Sequence, residues 1–81
     1  MPYIKQERRQ EMDTDGGMAN TPGELNYQLT LVCQDYVDNK QLSYQTINDI
    51  IGALEGAKLE FYRRVAAPYE DGKIKENGDI Y

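Results

Sequence analysis

Leu25, Leu29, Val32 and Tyr36 recur at intervals of four, three and four residues, the spacing of one helical face. Cys33 extends that face, and Tyr27 with Leu31 forms a second, narrower apolar strip nearly opposite. A helix with two apolar strips is expected to have two neighbours. Its start is marked by Thr21-Pro22-Gly23-Glu24: a threonine N-cap, a proline at the first helical position and a glutamate completing a capping box. Asp38-Asn39-Lys40-Gln41 closes the pattern, with Asn39 suited to a left-handed cap. The spacing therefore predicts a helix over residues 22–38.

The longest helical pattern follows, over residues 43–66, with Ser43 as N-cap and Pro68 as the stop at about Ala66. At about 100° per residue, Ile47, Ile50, Ile51, Leu54, Phe61 and Val65 share one stripe, the expected core face. Lys58 projects into the middle of that stripe, where an ammonium needs a carboxylate or a route to solvent. Gly52 and Gly56 lie one turn apart on another face, each costing roughly 1 kcal/mol relative to alanine. They open a smooth groove for close approach of either another helix or a ligand. Glu60 precedes Arg63 and Arg64 by three and four residues. Consecutive arginines point about 100° apart, so one carboxylate is expected to satisfy only one of them. A helix C-terminus would also favour both cations through the backbone dipole.

The flanks are weaker. Residues 1–21 read as an arm: an apolar hook at Pro2-Tyr3-Ile4, a helix-favouring run to Met12, then a loop over residues 13–20 punctuated by Gly16-Gly17. Arg8 and Arg9 are either a solvated helix end paired with Glu11 or Asp13, or contacts for an anion. Residues 67–81 read as a tail, with a turn over 67–72, a helical turn at 73–76 and a second turn at Asn77-Gly78-Asp79. The expected architecture is all-α and a single domain: an N-terminal arm (1–21), a helical hairpin (22–66) and a C-terminal tail (67–81). A lone hairpin leaves apolar faces uncovered, so a homodimer or homotetramer is expected.

Composition narrows the chemistry. The chain has 81 residues, 40% hydrophobic and 28% charged, with seven Tyr, one Phe and no Trp. That is one small helical domain whose aromatics favour half-exposed, hydrogen-bonding positions. A net charge of −5 argues against wholesale binding to nucleic-acid backbone. The single Cys33 cannot form an internal disulfide and fits a cytosolic protein. No stretch approaches the ~20 apolar residues of a membrane span. With no His and one Cys, histidine catalysis, Cys/His zinc sites and a cysteine–histidine nucleophile are all excluded. No phosphate-binding loop or calcium loop is present. The reading is a non-enzyme without cofactor or metal.

The segments Met1-Pro-Tyr-Ile-Lys-Gln-Glu-Arg-Arg9, Gly23-Glu-Leu-Asn-Tyr27, Glu60-Phe-Tyr-Arg-Arg-Val65, Pro68-Tyr-Glu-Asp71 and Asn77-Gly-Asp79 belong together. They resemble a family of short, largely uncharacterised proteins from bacteriophages and bacteria, over residues 1–11 and 23–81. Residues 12–22 depart from a pattern that carries a longer first helix there. In size and architecture the family is similar to phage anti-CBASS sponges, small helical oligomers that sequester cyclic dinucleotide alarm signals in the infected host's cytosol. The resemblance implies a non-catalytic binder with sites between protomers. Such a ligand needs arginine forks for two phosphates and planar groups for two bases. Tyr3, Tyr62 and Tyr69 with Arg8, Arg9, Arg63 and Arg64 supply those groups. The alternative is a small protein-interaction module that inhibits or regulates a host or phage protein through the same Tyr/Arg surface, for instance by occupying a basic nucleic-acid-binding face.

Overall fold

Helix propensity and capping carry most of this chain, and only two short stretches of the described residues escape them. The computed structural model describes residues 4–15 and 17–81, Asp15 through its backbone alone. Among these residues the chain is all-helical and contains no strand. The elements are α1 (Gln6–Asp15), α2 (Pro22–Lys40), α3 (Tyr44–Phe61), a π-turn (Tyr62–Ala66) and α4 (Ala67–Asn77). They form two compact units, Met1–Thr46 and Ile47–Tyr81. No described helix is long and apolar enough to cross a membrane.

In the first unit α1 runs three residues past the expected stop at Met12. Thr14 donates its hydroxyl back to the Gln10 carbonyl at 2.8 Å, and Asp13 accepts the Tyr27 hydroxyl with both oxygens at 2.8 and 3.0 Å. Those bonds replace the loop that the Asp-Thr-Asp composition suggested. Ile4 meets α2 at Gly23, where a Cβ would stand 3.0 Å from the isoleucine Cγ2. A glycine is needed there for close approach, not for backbone freedom. Met12 and Tyr27 are the buried hydrophobics. It is thus the narrower strip of α2, carrying Tyr27, that meets α1. Leu25, Leu29 and Val32 of the broader strip stay exposed.

The start of α2 is as expected. Thr21 Oγ1 accepts the Glu24 N–H at 3.1 Å, with Pro22 at the first position. The Glu24 carboxylate reaches one residue further back than a capping box requires and takes the Asn20 N–H at 3.0 Å. The far end runs to Lys40, and the residue that leaves the right-handed region is Gln41 (φ 71°, ψ 152°), not Asn39. That conformation is nearly reserved for glycine and costs about 1–3 kcal/mol in other residues. Two bonds hold it. The Gln41 N–H donates to Val37 at 2.7 Å, and the Gln41 carbonyl accepts the buried Thr46 hydroxyl at 2.8 Å. Ser43 then caps α3, accepting the Thr46 N–H at 3.1 Å.

The second unit departs most from expectation. Pro68 does not end the helix; helical structure continues to Asn77, through the segment read as turn and tail. A proline inside an α-helix removes one hydrogen bond and pushes its ring against the carbonyl four residues back. Here the ladder widens just before it, and the Ala67 N–H bonds to Tyr62, five residues back. The π-turn takes in one extra residue and so absorbs the missing donor and the ring. Gly78 (φ 87°) closes α4, its N–H bonded to Ile74 at 2.8 Å. Along α3 every side chain from Ile51 onward is exposed, including the expected core residues Ile51, Leu54 and Phe61.

Candidate functional site

The seven residues singled out as ligand contacts fall in different places. Tyr3 lies outside the described residues. Arg8 and Arg9 are on α1 in the first unit, and Tyr62, Arg63, Arg64 and Tyr69 are in the second.

Arg8 is committed within its own unit. Its guanidinium meets Glu11 at 3.1 Å, Glu24 at 3.1 Å and the Met18 carbonyl at 3.1 Å. The hydrogen bond to Glu24, then the one to Glu11, raises its pKa further. In turn Arg8, followed by the Asn20 N–H, holds the Glu24 carboxyl below its ordinary value. Arg8 thus ties α1, the loop after it and the first turn of α2 to one another. Arg9 is exposed on α1. Its charge slightly offsets the pKa rise of Tyr27, which is driven first by the hydrogen bond to Asp13 and then by burial.

The other four residues share one segment. Tyr62, Arg63 and Arg64 are on the π-turn itself, and Tyr69 is in the first turn of α4. Glu60 Oε1 accepts from Arg63 Nη2 at 2.8 Å and also from Arg64 Nε. This corrects the expectation that one carboxylate meets only one arginine: two long side chains converge from three and four residues along. It also removes the helix C-terminus as an explanation for the pair, because the helix continues. Both arginine side chains remain 68% exposed. Tyr62 donates its hydroxyl to Glu70 Oε1 at 2.7 Å, eight residues on. That hydrogen bond, with the negative charge of Glu70, raises the Tyr62 pKa and keeps the phenol protonated. Two arginine forks and a neutral phenol therefore stand on one exposed side of an otherwise regular helix.

Tyr69 faces a different feature. Lys73 Nζ lies 5.6 Å from the centre of its ring, a cation–π contact. Tyr69, Glu70, Lys73, Ile74, Ile80 and Tyr81 are among the residues lining an open cleft of about 300 Å³ at the end of α4. Neither arginine lines it. The contribution of Glu70, Lys73 and the 78–81 segment was missed in the sequence because these residues were read as a turn and tail. The signal was present in Pro68: a proline four residues after an arginine in an unbroken helical pattern marks a π-turn as well as a stop. Among the described residues, no carboxylate or thiol cluster is arranged to hold a metal ion.

No curated protein and no solved structure matches the chain. A family described as a domain of unknown function (DUF6899) matches residues 1–80, and the chain belongs to that family.

Proposed function

We propose that the chain is a non-catalytic, phage-type anti-defence protein that sequesters a cyclic oligonucleotide signal in the bacterial cytosol, working as a homo-oligomer of two or four copies. The observation that carries this reading is the convergence of Arg63 and Arg64 on one oxygen of Glu60 beside the protonated Tyr62. Exposed ion pairs of this kind contribute little to stability. A phosphate can replace Glu60 at small cost and receive two guanidinium forks already gathered at one point. Tyr62 supplies a hydroxyl donor, and Tyr69 an exposed ring for a base. No reactive side chain is needed for sequestration.

A thermal-shift panel of cyclic di- and trinucleotides tests this. A ligand at a hundredfold excess over its Kd stabilises by about 2.7 kcal/mol, a shift easily read for a chain this small. Arg63→Ala and Arg64→Ala should each abolish the shift while leaving the mass of the assembly unchanged. Glu60→Gln should strengthen it by releasing both guanidinium groups. A flat panel would defeat the nucleotide reading.

The exposed apolar side chains of α3 favour a second reading, a protein-interaction module acting on a host or phage protein. In that case the nucleotide panel is flat, and Arg63→Ala weakens binding to that partner instead.

A further inference from the structure

Ile47, Leu54 and Phe61 recur every seven residues along α3. Three residues after the first two come Ile50 and Ala57. This is the seam of a two-stranded coiled coil, apolar at the first and fourth positions of each heptad. In an uninterrupted α-helix the next such pair would be Arg64 and Pro68, and the seam would end. The π-turn changes that outcome. Because it takes in one extra residue, eight residues span close to what seven otherwise do, and the next seam positions become Val65 and Tyr69. The Tyr62–Glu70 hydrogen bond, made across eight residues on one side of the helix, is a direct mark of that shift.

The seam is uncovered. Ile51 (61%), Leu54 (42%), Phe61 (62%), Val65 (51%) and Tyr69 (66%) all carry large exposed fractions. At roughly 150–200 Å² per side chain of this size, the seam exposes about 500–600 Å² per copy. Two copies would bury about 1,100–1,200 Å² in total, at the lower edge of the range for specific stable interfaces. We infer that a second copy of this chain covers the seam of α3 and its π-turn continuation, packed antiparallel. Volume sets the direction. A parallel pair would stack Phe61 on Phe61 and leave a gap between two copies of Ala57. An antiparallel pair sets Phe61 against Ile50 and Leu54 against Ala57, large against small in each layer. Lys58, bound at 3.4 Å to its own Glu55, then passes beside alanines and isoleucines to solvent, not beside its own copy.

This inference rests on the homo-oligomer in the reading above and not on its ligand. Sedimentation or light scattering of the full chain at micromolar concentration is therefore independent of any nucleotide. The expected result is a mass at least twice that of one chain, falling to one chain in Phe61→Lys with the helical circular dichroism retained. A one-chain mass for the wild type at all concentrations overturns the inference. Direction is read in a Cys33→Ser background from Ile50→Cys and Phe61→Cys chains, oxidised separately and mixed. Disulfide-linked pairs should form in the mixture and not in either chain alone. Linked pairs in each chain alone would mean parallel packing and overturn the arrangement. A dimer with no linked pairs would overturn the seam as its interface.

Discussion

Arg8 shows how a residue picked for one kind of chemistry turns out to serve another. Its fork faces Glu11, Glu24 and the Met18 carbonyl, so an anion would have to displace three partners at once. Arg8→Ala should lower the melting temperature clearly more than Arg9→Ala, measured by circular dichroism. Proton linkage gives the second part of that prediction. Glu24 has a folded pKa below its ordinary 4.5, so its contribution is present above that pH and is lost as pH falls through the lowered value. Acid destabilisation below about pH 4.5 should be steeper in the wild type than in Arg8→Ala. The sequence pointed correctly to Glu11, because helical spacing shows neighbours three and four residues apart. It could not point to Glu24, sixteen residues away, because nothing local marks which side of α2 receives α1. Glu60 is the reverse case. Its partners were visible from spacing, but their number depended on side-chain reach.

At the scale of elements, α2 and α3 were legible from periodicity and caps, and Thr21 and Ser43 do the capping expected of them. What was not legible was continuation through Pro68. Local rules say that proline ends a helix or kinks it, and a one-residue widening of the ladder is a third solution they rarely anticipate. Pro68→Ala tests that account. It restores the missing donor and removes the ring, so the π-turn should relax to α-helix and urea denaturation should show roughly 1–3 kcal/mol of added stability. The same change turns Tyr69 and Glu70 by about 80–100° relative to Phe61. The Tyr62–Glu70 hydrogen bond should be lost, and self-association should weaken. A variant that is more stable yet less associated would separate the fold of the helix from the use of its surface.

For the whole molecule, periodicity shows which faces are apolar but not what covers them. The broader strip of α2 was expected to be core and is exposed, while the narrower one holds Tyr27 against α1. Small chains leave that choice to packing between elements, which no single helix encodes. Net charge adds a constraint at this scale. Copies carrying −5 each repel one another, whereas arginine–phosphate contacts are attractive. Raising salt from about 0.05 M to about 0.5 M should therefore tighten the assembly and weaken nucleotide binding, opposite trends within one sample. Gln41 adds one more consequence. Its glycine-type backbone stores about 1–3 kcal/mol that is returned whenever the Thr46 and Val37 bonds let go. By itself that bias favours local opening by roughly 5–150-fold over an unstrained link. The segment between α2 and α3 is thus spring-loaded: amide exchange should begin at Gln41, well ahead of the helices on either side, and Gln41→Gly should slow it.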